Sequence, residues 1–294
     1  MEDASSTFAP LRARLVRIAY RMLGSVAEAE DVVQDAYIRW HQTDRAAVRD
    51  PGAFLSRTVT RLCLDQLKSA RAKRETYIGP WLPEPIVELE EDNRDEVTLT
   101  LMMALERLSP LERAAFLLHD VFGMSFDDVA KAIERDPAAC RQLAARARQH
   151  VHEARPRFPV SKERGQDIAA AFFTASNHGD LGALRQLLAA DVIAYTDGGG
   201  KAAAARNPLY GADKVSRFFA GLARKHDGEA FTGRPVPCRV DGLPGIMLVD
   251  EQGRAVQTMA VEVEDGRIVA LYITRNPDKL ARIPTMALER RFPQ

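Results

Sequence analysis

Five side chains in the second half of the sequence are of kinds that move protons: His178, Tyr195, Asp197, Tyr210 and His226. None stands at a spacing that demands bond-making, and isolated histidines are usually plain surface or core residues. Cys63, Cys140 and Cys238 are far apart and fit neither a metal-ligand spacing nor a disulfide framework. No catalytic residue, metal or cofactor is expected. The charged residues are more informative. Arg57, Arg61, Lys68 and Arg71 recur at steps of four, seven and three, Lys73 and Arg74 follow, and Asp65 opposes them. On a helix such a stripe suits a phosphate backbone, with a grip that weakens as salt rises. Upstream, Glu28, Glu30, Asp31, Gln34 and Asp35 crowd one face of another helical segment. By charge alone that face is a solvated one, with acids near a helix N-terminus.

The chain has 294 residues, room for two or three domains, and at 46% hydrophobic and 28% charged it is globular. Its net charge is zero, so any nucleic-acid site must come from local charge separation. No apolar run approaches the ~18 residues of a membrane span, and no basic start precedes an apolar core. The expectation is a cytoplasmic protein with no membrane partner.

Several elements must position these charges. Leu11, Leu15, Ile18 and Met22 recur at helical spacing before Gly24, and a second helix spans about 26–41 over Ala29, Val32, Val33, Ala36, Tyr37 and Trp40. Asp50-Pro51 is an N-cap with proline at the first helical position, opening a helix to about residue 74. Trp81, Leu82, Pro83, Glu84 and Pro85 follow Gly79-Pro80 as a stiff, extended strut whose apolar pair needs a partner. Glu84, Glu88, Glu90, Glu91, Asp92, Asp95 and Glu96 then read as a self-repelling linker. Ser109-Pro110-Leu111-Glu112 is a capping box, Ser125 opens a short helix, and Asp136-Pro137 opens a last one over 137–152. Two short helices joined by a tight turn, the second basic, read as helix-turn-helix. Past Pro156 and Pro159 the texture changes to three amphipathic helices and five strands, 192–196, 237–241, 245–250, 255–263 and 267–274. Asp197-Gly198-Gly199-Gly200-Lys201 is either a plain turn or a place of close backbone approach. It lacks the spacing of a phosphate loop. Asn276-Pro277 reads as a strand stop.

The segment from Ala29 to Tyr37 resembles the polymerase-binding helix of sigma region 2 in bacterial sigma factors, which implies docking on core RNA polymerase through Asp31, Gln34 and Asp35. The segment from Phe54 to Leu67 resembles the promoter −10 helix of that region, with Thr60-Arg61 where many members carry Arg-Asn. Arg57, Arg61, Lys68, Arg71, Lys73 and Arg74 would then serve the −10 element. The segment from Ala139 to Arg148 resembles the −35 recognition helix of sigma region 4: Arg141 and Gln142 within reach of base edges, Arg146 and Arg148 near phosphates. Glu134 stands where the turn often holds glycine. The third domain is similar in pattern to SnoaL-like members of the NTF2-like fold. Trp81, Leu82, Pro83, Glu84 and Pro85, with Asp197, Gly198, Gly199, Gly200 and Lys201, and with Asn276, Pro277, Asp278, Lys279 and Leu280, match three short motifs of one group. By these motifs the chain is identified as a member of the extracytoplasmic-function sigma factors with a C-terminal SnoaL-like extension.

The resemblance implies two all-α DNA-binding domains followed by an α+β domain with a curved antiparallel sheet. The expected boundaries are 1–76 (region 2), 77–96 (linker), 97–156 (region 4), 157–165 (linker), 166–276 (SnoaL-like) and 277–294 (tail). It implies a transcription initiation factor partnered by core RNA polymerase and promoter DNA, monomeric when free and regulated in cis, so that no separate anti-sigma protein is expected. Acidic residues in such a connector can also mimic nucleic acid within the polymerase cleft. Related cavities bind small molecules or transfer protons, so a sensing or catalytic third domain is the alternative.

Overall fold

The computed structural model describes residues 4–89, 98–153, 161–225 and 233–285. The side chains of residues 68–75 and 153, the acidic run from Glu90 to Glu96, the boundary at Pro156 and Pro159, and His226 lie outside this description. The chain divides into two compact units, one of Met1–Thr76 with Leu101–Arg155, the other of Tyr77–Thr100 with Pro156–Gln294.

The first unit is helical. α1 (Ala4–Leu23), α2 (Val26–Gln42) and α3 (Pro51–Glu75) pack around Leu15, Ile18, Met22, Val32, Val33, Trp40, Leu55 and Val59, all nearly or wholly buried. The expected cap is present, Asp50 accepting from the Ala53 N–H at 2.9 Å, and Ser25 caps α2 as well, accepting from the Glu28 N–H at 3.1 Å. Trp40 keeps its indole N–H satisfied by donating to the Ala4 carbonyl at 3.2 Å. α4 (Leu99–Leu105) begins in the second unit and runs into this one. α5 (Pro110–Phe116) starts at the Ser109–Glu112 capping box and widens into a π turn, Leu117–Val121. α6 (Phe126–Ile133) and α7 (Pro137–Glu153) form the helix-turn-helix. Glu134 does adopt the left-handed conformation between them, at φ 56°. For a non-glycine residue that costs on the order of 1 kcal/mol.

The second unit pairs α8 (Lys162–His178), α9 (Leu181–Leu187) and α10 (Ala212–Lys225) with a sheet ordered β1-β4-β5-β6-β7-β2-β3. Its strands are β1 (Val87–Glu88), β2 (Leu188–Asp197), β3 (Leu209–Tyr210), β4 (Arg234–Val240), β5 (Leu243–Val249), β6 (Ala255–Glu264) and β7 (Arg267–Thr274). The expected antiparallel sheet is in fact mixed, because β2 runs parallel to β7. α10 and the strands β4 to β6 lie between those two in sequence, and that long crossover returns the chain in the same direction. β4 to β7 form the expected antiparallel meander. β1 comes from the connector and pairs with β4.

Side chains alternate across the sheet. Val192, Ala194, Leu248, Met259, Val261 and Ile273 meet Phe172, Leu184, Val215 and Phe219 from the helices in one apolar core. Tyr195, Asp197, Ala260, Glu262 and Tyr272 occupy the alternate positions, and the Tyr195 and Tyr272 rings stack at 5.6 Å. The Tyr272 hydroxyl donates to Glu262 Oε2 at 2.9 Å. Burial raises the Glu262 carboxyl above its ordinary range, and neighbouring Glu264 adds to the effect. The unfolded chain therefore binds fewer protons than the folded one as pH rises through that window, so this group costs stability on going to neutral pH. Glu262→Gln should remove the cost: the difference in thermal-melt stability between variant and wild type should grow in the variant's favour from about pH 4 to pH 7.

Candidate functional site

The three short motifs singled out in the sequence converge on one carboxylate. Asp197, at the end of β2, is wholly buried. Its Oδ1 accepts from the Tyr77 hydroxyl at 2.5 Å and the Gly199 N–H at 3.0 Å. Its Oδ2 accepts from the Leu82 N–H at 2.9 Å and the Lys279 ammonium at 2.7 Å. Four donors use the full accepting capacity of a carboxylate. Lys279 is itself buried, and its ammonium also donates to the Leu82 carbonyl. The ammonium lies 4.2 Å from the centre of the Trp81 ring and 5.0 Å from that of Tyr77, a cation between two aromatic faces. Burial, and next the bond to Asp197, hold the Tyr77 hydroxyl far above its ordinary pKa, so it remains a donor.

Local structure explains the motifs. Asn276 is the N-cap of the one-turn helix α11 (Pro277–Leu280), where a simple strand stop was expected. Its side-chain carbonyl accepts from the Asp278 N–H at 3.1 Å, and its amide donates to the Tyr77 hydroxyl at 2.8 Å. That turn aims Lys279 inward and buries Leu280. Gly199 and Gly200 both have positive φ, and a Cβ on Gly199 would collide with the Asn276 amide, one on Gly200 with Ile78. Of the two sequence readings, close backbone approach is the one observed. Leu82, Pro83 and Pro85 are buried, Trp81 and Glu84 half-buried. Lys201 pairs with Asp278 at 2.5 Å on the surface, where an exposed ion pair adds little.

Two anchors were not legible in the sequence. Tyr77 is one. The other is Asp241, in the turn between β4 and β5. Its N–H donates to the Ile86 carbonyl at 2.8 Å, its carboxylate accepts from the Ile86 N–H at 3.3 Å, and its carbonyl accepts from the Leu99 N–H at 2.9 Å. One residue thus ties the connector on both sides of its acidic run. In the sequence Asp241 stands only as the end of an expected strand, 237–241.

The charged faces lie elsewhere. Asp31, Gln34 and Asp35 are exposed on α2, opposite buried Val32, Val33 and Ala36. On α3, Arg57 is half-buried and Arg61 exposed. Lys68, Arg71, Lys73 and Arg74 are among the side chains outside the description. Arg141, Gln142, Arg146 and Arg148 are exposed on α7, and Arg148 is braced by Asp120 at 2.7 Å. Among the described residues no cluster of His, Cys, Asp or Glu has the make-up of a metal site. No described helix is long and apolar enough to cross a membrane.

Residues 7–73 match the family model for Sigma-70 region 2, and residues 98–151 the one for Sigma-70 region 4. The ECF RNA polymerase sigma factor SigJ of Mycobacterium tuberculosis is 37% identical, over 95% of this chain and 94% of its own length. The chain belongs to the ECF RNA polymerase sigma factors. The crystal structure of M. tuberculosis SigJ matches this sigma factor with a TM-score of 0.76, at 36% identity, over 96% of this chain and 99% of that one. A putative ketosteroid isomerase from Kribbella flavida aligns with 45% of this chain at 18% identity and a TM-score of 0.26. The sigma factor RpoE of Bartonella quintana, solved with the anti-sigma factor NepR, aligns to 52% of this chain at 18% identity and a TM-score of 0.45.

Removing one member of a buried ion pair strands the other, at a cost of about 3–5 kcal/mol. Lys279→Met should destabilise the protein by about that much in urea unfolding. Adding Asp197→Asn should cost far less than it does alone, since the pair is then already broken.

Proposed function

We propose that this sigma factor binds core RNA polymerase, reads −10 and −35 promoter elements, and is held in check by its third domain, which grips the connector between regions 2 and 4. The observation that carries the reading is the saturated Asp197 carboxylate, with donors from the connector (Tyr77 and Leu82) and from the third domain (Gly199 and Lys279). In the family pattern α2 docks on the polymerase through Asp31, Gln34 and Asp35. α3 serves the −10 element and α7 the −35 element, with Arg141 and Gln142 toward base edges.

Distances give the clamp its leverage. The −10 and −35 elements lie about 85 Å apart along B-DNA. Fully extended, residues 77–100 would reach about 80 Å. Ile86 and Leu99 are both held by Asp241, so the segment between them adds no reach while that contact lasts. Tyr77 and Leu82 are held by Asp197, so the first part adds little more. A clamped connector thus opposes simultaneous reading of the two elements, and release of the clamp permits it.

The catalytic and sensing alternative draws no support from the site. The helix side of the sheet is filled by Phe172, Phe219, Leu248, Met259 and Val261. Asp197, the natural candidate for a general base, has its lone pairs fully engaged. The third domain is a regulatory part and works without a cofactor, in the cytoplasm where the polymerase acts.

With purified core polymerase, both a truncation after Arg157 and full-length Lys279→Met should change transcription from a target promoter in the same direction. Unchanged output from both would end the proposal. Opposite effects would mean that the domain acts by some route other than the clamp.

A further inference from the structure

Arg61 of α3 is already engaged within its own unit. The Arg61 guanidinium donates to the Lys131 carbonyl at 2.9 Å and pairs with Glu134 at 3.2 Å. Both partners lie at the C-terminal end of α6, where carbonyls without an intrahelical donor favour a cation. One turn earlier on α3 stands Arg57. The carboxyl of Asp128, in the first turn of α6, is held below its ordinary range, chiefly by the Ser125 hydroxyl and in lesser part by Lys131 and Arg57. A second, buried contact ties the same regions together. Arg113 of α5 donates to the Met22 carbonyl near the end of α1 at 2.7 Å and to the Leu105 carbonyl at 2.9 Å, and pairs with Glu106 at 2.8 Å.

We propose that α6 is an internal competitor for the −10 strand: its terminal carbonyl and the Glu134 carboxylate occupy the cation that a promoter phosphate would take. The inference rests on α3 being the −10 helix, and it makes no use of the third domain. A chain in which α3 touches α6 cannot also set α3 at −10 and α7 at −35, some 85 Å away. The contact must open as the promoter is engaged. The Arg61 pair is the part of it suited to opening. Arg61 is 49% and Glu134 71% exposed, so the pair is weak and screened by salt. Glu134 is also the left-handed residue of the turn, a place that glycine fills without strain. A carboxylate kept there at a conformational cost has a use, and Arg61 is its partner.

Because glycine suits that backbone, Glu134→Gly removes the competitor and leaves the turn intact. Full-length wild type, Glu134→Gly, Arg61→Ala and the double variant are titrated with a fluorescent single-stranded DNA oligonucleotide at about 50 mM salt, where phosphate contacts are strong. Glu134→Gly should bind about two- to fivefold more tightly, the worth of one exposed ion pair. The gain should vanish when Arg61 is also alanine. No gain, or an equal gain in the Arg61→Ala background, would overturn the proposal, the second by reducing it to a general charge effect. Arg61→Ala alone should weaken binding; if it does not, the inference falls through its premise.

Discussion

One buried carboxylate organises the second unit. Asp197 sits at the end of a strand, shielded from water, and an isolated charge there would be costly. It is tolerated because four donors reach it, and those donors come from places far apart in the chain: Tyr77 and Leu82, Gly199, and Lys279. None of these partners is useful without the others. Lys279 without Asp197 would be a buried ammonium on one backbone carbonyl, and the Leu82 N–H would lose its acceptor. Loss of any one partner therefore weakens the hold of the others, as in any buried polar network.

The rest of the connector follows from this. Prolines 83 and 85 stiffen the strut and remove donors that would otherwise need partners. Leu82 is buried, and the half-buried Trp81 lends its face to a cation and covers it. Beyond the strut, β1 extends the sheet of the third domain and Asp241 holds both Ile86 and Leu99. A segment whose composition reads as linker is thus folded into a domain, by backbone pairing more than by its side chains. In the first unit, by contrast, the contacts of Arg61 are exposed and weak, while Arg113 is buried and strong. Opening the first unit therefore means breaking a buried contact as well as an exposed one.

Local signals in the sequence carried most of the helical part. Caps at Asp50 and Ser109, the stop at Gly24 and the helix-turn-helix spacing are all decided by residues within a few positions of each other. The three motifs were legible as a set through their resemblance to one group, and the glycines as a site of close approach. Their chemistry was not, because it depends on pairs such as Leu82 with Asp197, 115 positions apart. The parallel pairing of β2 with β7 escaped for the same reason: alternation shows a strand and a face, never its neighbour. Tyr77 and Asp241 looked ordinary, since each acts only through a partner that topology supplies.

The central claim is that the connector is fastened to the third domain in the free protein and released on the promoter. Hydrogen exchange at the amides of Leu82 and Ile86, which donate to Asp197 and Asp241, reads that state directly. Both amides should be protected in the free protein and should exchange much faster in the complex with core polymerase and promoter DNA. Equal protection in the two states would contradict the account.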